Sequence, residues 1–132
     1  MLAPKNSFSK KDRLKSKKAI DNLFKTGRSY FEDPVRIIFN ISESDNPELK
    51  AGIAVPKKKL KKTYQRNLVK RRIKESYRQN NKELKELIYQ KGLSCHLMYY
   101  YQSSEILLFK DLSPKIMLLL QRLQKHIEAK FI

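Results

Sequence analysis

The chain is poor in several things, and each shortage excludes a class. It holds one cysteine, Cys95. That rules out an intramolecular disulfide and a cysteine-built zinc site, and it fits a reducing compartment, so a cytoplasmic protein is expected. Apolar runs are short. None approaches the roughly 20 residues a membrane-spanning helix needs, so no membrane partner is expected. The opening stretch, MLAPKNSFSKKDRLKS, has no apolar h-region and does not read as a secretory signal. No internal repeat is visible. Acids are scarce: 13 Asp and Glu stand against 30 Lys and Arg, a formal net charge of +17 over 132 residues. Self-repulsion on that scale works against compaction unless something anionic offsets it. Charge alone leaves three partner classes, nucleic acid, an anionic membrane surface and an acidic protein, and of these no membrane is expected. Nothing points to a small-molecule substrate.

What is present suits one domain with a modest core, since 40% of residues are hydrophobic. Residues 1–12 read as a flexible basic segment and 13–132 as the domain. SKKAIDNLFKTG reads as a helix with Ser16 as N-cap, Ile20, Leu23 and Phe24 as its apolar stripe and Gly27 as its stop. PVRIIFNIS reads as a strand, with Val35, Ile37, Phe39 and Ile41 on one face and Arg36, Ile38 and Asn40 on the other. SESDNPE is a loop and the one locally acidic patch. LKAGIAVP is a second strand, with Lys50, Gly52 and Ala54 opposite Leu49, Ala51, Ile53 and Val55.

A basic connector, KKKLKKTYQ, leads into a long helix over about 63–80. A second helix ends near Gly92, and SCHLMYYYQ reads as a strand with its tyrosines alternating between core and surface. After the connector SEILLF comes the last helix, capped by Ser113 with Pro114 at its first position. Its stripe of Ile116, Leu119, Leu120, Leu123 and Ile127 suits core packing better than a dimer seam. The order predicts an α+β fold with a small sheet and a split βαβ element.

The segment RNLVKRRIKE carries the sharpest signal. Five of its ten residues are basic, yet Leu68, Val69 and Ile73 recur at helical spacing. On a helical wheel, Arg66, Asn67, Lys70, Arg71, Lys74 and Arg78 gather within an arc of about 140°. Arg72 falls in the apolar arc and has to reach out along its stem. An ordinary solvated helix face mixes signs to gain i,i+4 pairs. From Lys50 to Arg78 there are twelve Lys or Arg and one Glu. Such a ridge costs stability unless an anion neutralises it, and nucleic acid is the expected partner. Arginines offer a planar fork to phosphate, lysines a point charge, and such contacts position a backbone rather than read bases. Lys57, Lys58, Lys59, Lys61 and Lys62 of the connector, with Arg13 and Lys17 nearer the N-terminus, are further candidate contacts.

A self-sufficient protein nuclease would need metal-binding carboxylates or a histidine pair. The acids lie mostly in the acidic loop or alternate with lysines in NKELKEL, and His96 and His126 stand on separate elements. Each histidine reads as structural or solvated, and Cys95 as a small buried residue. No catalytic residue and no metal ligand is expected in the protein.

RNLVKRRIKE resembles the RNxxKRxxRE-type signature of the protein subunit of bacterial ribonuclease P. FSKKDRLKSKKAIDNLFKTG resembles that family's N-terminal pattern of an Arg-Leu pair, a short helix and a closing glycine. AGIAVPKK resembles its Gly-x-x-Val-x-Lys-Lys strand end. The resemblance covers roughly residues 8–128. Two features depart from it: Lys61, Thr63 and Tyr64 stand where the family usually has Gly, then Ala-Val, and Lys74 replaces a commoner arginine.

The resemblance implies a single small α/β sandwich around a mostly antiparallel sheet, with a left-handed βαβ crossover, similar to ribosomal protein S5 domain 2. It implies an accessory protein of an endoribonuclease. A catalytic RNA with bound magnesium removes the 5′ leader of precursor tRNA, and the protein, non-catalytic alone, binds both RNAs. Carried onto this chain, Arg66, Asn67, Lys70, Arg71 and Lys74, extended to Arg78, would meet the RNA subunit. Phe24 and Ile38, joined by Ile20, would line the leader cleft. Arg36 and Lys50 share the strand face with Ile38 and complete that cleft. The alternative is a ribosomal or other structured-RNA-binding protein without a processing role.

Overall fold

A computed structural model of the chain describes residues 7–131. Four strands form one sheet in the order β1-β2-β4-β3. β1 is Arg28–Glu32, β2 Val35–Glu43, β3 Glu48–Ala54 and β4 Leu93–Tyr101. β1 and β2 pair antiparallel, as do β2 and β4, while β3 runs parallel to β4. The sheet is therefore mixed and mostly antiparallel. The expected βαβ element is present but not split, because β3 and β4 are direct neighbours. β1 is absent from the sequence reading. RSYFE is short and sits at the sheet edge, where one side of the strand needs no partner and the alternation is weak.

The helices are α1 (Lys17–Thr26), α2 (Thr63–Asn80), α3 (Lys82–Lys91) and α4 (Phe109–Lys130). Among the described residues, none of the helices is long and apolar enough to cross a membrane. α2, α3 and α4 bury Val69, Ile73, Leu84, Ile88, Ile116 and Leu123 against Val35, Ile37, Phe39, Leu97 and Tyr99 of the sheet. α1 covers the opposite face, where Leu14, Leu23, Ile38 and Met98 form a second, small cluster. Alternation on β4 holds as read: Tyr99 and Tyr101 are buried and Tyr100 is half-buried.

Two local expectations shift, both at the start of α4, while Gly27 and Gly92 close their helices as read. α4 begins four residues before Ser113, so Pro114 lies inside the helix and the Ser113 hydroxyl meets that of Ser76 at 2.8 Å instead of capping. Gly27 has an ordinary φ of −69°. Its small size is what matters: a Cβ there would lie 2.4 Å from the Leu23 carbonyl and 2.8 Å from Ile38 Cγ2. Gly92, by contrast, ends α3 in the left-handed region at φ 64°.

Residues 7–12, expected as part of a free tail, are docked. Phe8 packs edge-on against buried Tyr77, and Lys85 Nζ donates to the carbonyl and hydroxyl oxygens of Ser7 at 2.8 and 2.7 Å. The Asn81 side chain, fully buried at the α2–α3 junction, also donates to the Ser7 carbonyl at 2.7 Å. Residues 1–6 of the expected tail lie outside the described residues.

Candidate nucleic-acid interface

α2 turns Val69, Ile73, Ser76 and Tyr77 inward and leaves Asn67 and Arg71 exposed, with Lys70 and Lys74 half-exposed beside them. Among the described residues, no carboxylate pairs with Lys70, Arg71 or Lys74. The exposed connector lysines 57, 58, 59, 61 and 62 continue the same uncompensated charge. Helix amphipathicity thus concentrates cations on one side of α2, and among the described residues no acid neutralises Lys70, Arg71 or Lys74.

Two members of the expected ridge are otherwise engaged. Arg66 is only 9% exposed. Its Nη1 donates to the carbonyls of Leu60 and Lys61, both at 2.8 Å, and its Nη2 to Thr63 Oγ1 at 3.1 Å. The connector turns there without ladder partners, so its carbonyls need a donor, and Nη1 with its two N–H groups serves both while Nη2 reaches Thr63. Arg66 is a strut under the connector, not an open phosphate grip. Arg78 forks onto Glu75, with Nη2 2.6 Å from Oε1 and Nε 3.0 Å from Oε2. With Gln79 assisting, that contact holds the Glu75 carboxyl down at about 2. Arg72 is half-buried: it folds across to the Leu107 carbonyl and ties α2 to the segment before α4.

The cleft is built by α1 lying on the open sheet face. Leu23 is the one buried residue of α1, so a single side chain anchors that wall. Ile38 lies beneath it at 8% exposure and is a core residue, not a lining one. Met98 fills the space above Gly52, its Cε 2.8 Å from where a Cβ would stand, so the glycine does not open the floor. Phe24 remains 46% exposed. Its ring meets Tyr100 edge to face at 5.9 Å, a juxtaposition that places two aromatics at the rim, with Ile20 half-buried alongside.

Arg36 stacks over Phe31 at 4.9 Å and donates to Ser29 Oγ and Gln102 Oε1. Lys50 lies 3.7 Å from Glu48. Both keep exposed surface but hold protein partners. Arg13 is part-buried, bridged to Ala51 through its backbone and placed over Phe8 at 5.7 Å.

On the other side of α1 opens a groove of about 950 Å³. Lys17, Lys18 and Lys25, with one acid, Asp21, among them, form its wall, and Asn40, Ser42, Ser94 and His96 its floor. His96 Nε2 lies 3.2 Å from Glu48 Oε1. The sequence analysis includes Lys17 as a contact and Asn40 on the open strand face, and gives Lys18, Lys25, Ser42, Ser94 and His96 no binding role. The signal was available in alternation: on β4, residues 94, 96, 98 and 100 share the open face, opposite 42, 40, 38 and 36 of β2. His126 stands apart on α4, hydrogen-bonded to the Tyr30 hydroxyl at 3.3 Å. Burial, with Arg28 and Lys130 nearby, keeps its pKa low. Among the described residues, no three His, Cys, Asp or Glu side chains gather to hold a metal ion.

Known proteins share this fold. A ribonuclease P protein component from Porphyromonas gingivalis W83 is 24% identical over 104 residues, 78% of this chain and 76% of its own length. One from Pseudoalteromonas atlantica is 34% identical over 79 residues, 60% of this chain and 64% of its own. In fold, the ribonuclease P protein of Staphylococcus aureus superposes with a TM-score of 0.63 at 20% identity, covering 91% of this chain and 96% of that one. That of Thermotoga maritima gives 0.60 at 23%, covering 83% and 96%. The Ribonuclease P family model matches residues 8–123, and the chain belongs to the ribonuclease P protein family.

Proposed function

We propose that this accessory subunit holds the ribonuclease P RNA along α2 and its connector, and holds the 5′ leader of precursor tRNA in the cleft beside α1. The observation that carries the reading is the uncompensated ridge. Lys70, Arg71 and Lys74 stand in a row with Asn67, and among the described residues no acid pairs with them. Cations spaced along a rigid helix suit a phosphate backbone held in fixed register. The second surface, with Phe24 and Tyr100 at its rim and a lysine-walled groove behind, suits a single strand: aromatic faces for bases and cations for phosphates. Chemistry rests with the RNA and the magnesium it binds, and the protein contributes position and charge.

The test is cleavage of precursor tRNA by the cognate RNA at low magnesium, with and without the protein. Cleavage rises with the protein present, and the protein alone, freed of RNA by nuclease treatment and repurification, cuts nothing. Failure of the protein to improve cleavage, or robust RNA-free cleavage, refutes the reading.

A further inference from the structure

Tyr64 has no part in the fold. It is the most exposed of the large hydrophobic side chains described, at 66%, and it stands in the first turn of α2. A tyrosine so exposed gives the fold little. Three observations say what it suits. First, its position on the helix: Tyr64 is seven residues before Arg71 and three before Asn67, so at 100° per residue it lies in the same row as the ridge. Second, its setting: Lys61 and Lys62 flank it, the Lys62 ammonium lies 5.9 Å from the ring centroid, and the nearest acids in sequence are Glu48 and Glu75. Third, its support: the Arg66 guanidinium clamps the carbonyls of Leu60 and Lys61, and so fixes the chain on which Tyr64 stands. The ring is exposed but its mounting is rigid, which lowers the ordering cost of a contact.

We infer that Tyr64 is a stacking platform for an unpaired nucleobase of the RNA that lies on the ridge. An exposed aromatic with flanking lysines matches one flat base between two phosphates. This inference rests on the ridge being an RNA surface. The base comes from the ribonuclease P RNA, since Tyr64 shares its row with the ridge and α1 lies on the opposite face of the sheet.

The test measures affinity for the ribonuclease P RNA alone, and for precursor tRNA alone, with Tyr64→Ala, Tyr64→Phe and Arg71→Ala. Tyr64→Ala weakens binding of the RNA subunit roughly five- to a hundredfold, as expected for one lost base stack, and Tyr64→Phe keeps it. Precursor tRNA binding changes in neither. The wild-type chain has no tryptophan, so Tyr64→Trp supplies a sole reporter whose fluorescence is quenched when the RNA subunit is added. If Arg71→Ala weakens RNA binding while Tyr64→Ala does not, the platform is refuted and the ridge stands. If neither weakens it, the ridge reading itself has failed. An equal loss in Tyr64→Phe assigns the contact to the hydroxyl and overturns stacking. A loss confined to precursor tRNA overturns the assignment to the RNA subunit.

Discussion

Phe24 and Tyr100 meet edge to face, 5.9 Å between ring centroids with planes at 76°. The contact joins α1 to the sheet face it covers, yet leaves 46% of Phe24 exposed. Leu23, one residue earlier, carries the packing of α1. The two neighbours divide the work, one anchoring and one presenting a ring. Phe24→Ala should therefore lower the melting temperature little and reduce the preference for precursor over mature tRNA by roughly five- to a hundredfold, the worth of one stacked base. An unchanged affinity ratio in a destabilised variant would remove Phe24 from the leader site. Leu23→Ala should do the reverse, costing about 2–5 kcal/mol of stability by cavity formation.

Arg66 and Arg71 are five residues apart and should behave oppositely. Arg66→Ala leaves the carbonyls of Leu60 and Lys61 without their donor, at about 1–3 kcal/mol for buried groups. Arg66→Lys should recover only part, since an ammonium has no planar fork. Arg71→Ala should change stability by less than about 0.5 kcal/mol, as surface substitutions do, and weaken assembly with the RNA. Denaturant midpoints read the first effect and RNA affinity the second. Equal destabilisation by both would contradict the assigned roles.

Binding of the RNA subunit should fall steeply with salt. Each neutralised phosphate contributes about −0.7 to −0.9 to the slope of log affinity against log salt. Arg71→Ala should flatten that slope by about one. A titration series from low to physiological salt decides it, and a flat dependence in the wild type would remove the ridge from the interface.

Cys95 is fully buried on β4, and burial pushes its thiol up to about 12. A thiol-specific reagent at pH 8 should leave it untouched in the folded protein and label it on unfolding. The unfolded thiol titrates near 8.5. Its raised folded pKa favours the protonated fold, so the contribution is complete below about 8.5 and is lost as pH rises towards 12. Buried Tyr77 and Tyr99 shift the same way, so the thiol's part is the difference between the pH–stability curves of wild type and Cys95→Ala. Coincident curve shapes, or rapid native labelling, would refute the assignment.

The periodicity of RNLVKRRIKE was enough to say that Val69 and Ile73 pack and that Lys70, Arg71 and Lys74 face outward, because side-chain direction on a helix follows local spacing. Alternation in β2 likewise places Val35, Ile37 and Phe39 on the core face, and in β4 it calls for alternating tyrosines without deciding that Tyr99 and Tyr101 are the buried pair. The Arg78–Glu75 pair was also legible, since i,i+3 neighbours share a helix face, and the ridge reading passed over it.

Tertiary structure decided the rest. Arg66 looks like Arg71 in sequence, but only the path of the connector brings two unpartnered carbonyls within its reach. Ile38 sits on the predicted open face and is buried because α1 folds back over it. Ser7 is fixed by Asn81 and Lys85, more than seventy residues away. Local spacing sets which way a side chain points. Which donor meets which acceptor depends on where distant backbone runs, and that is set only when the chain has closed on itself.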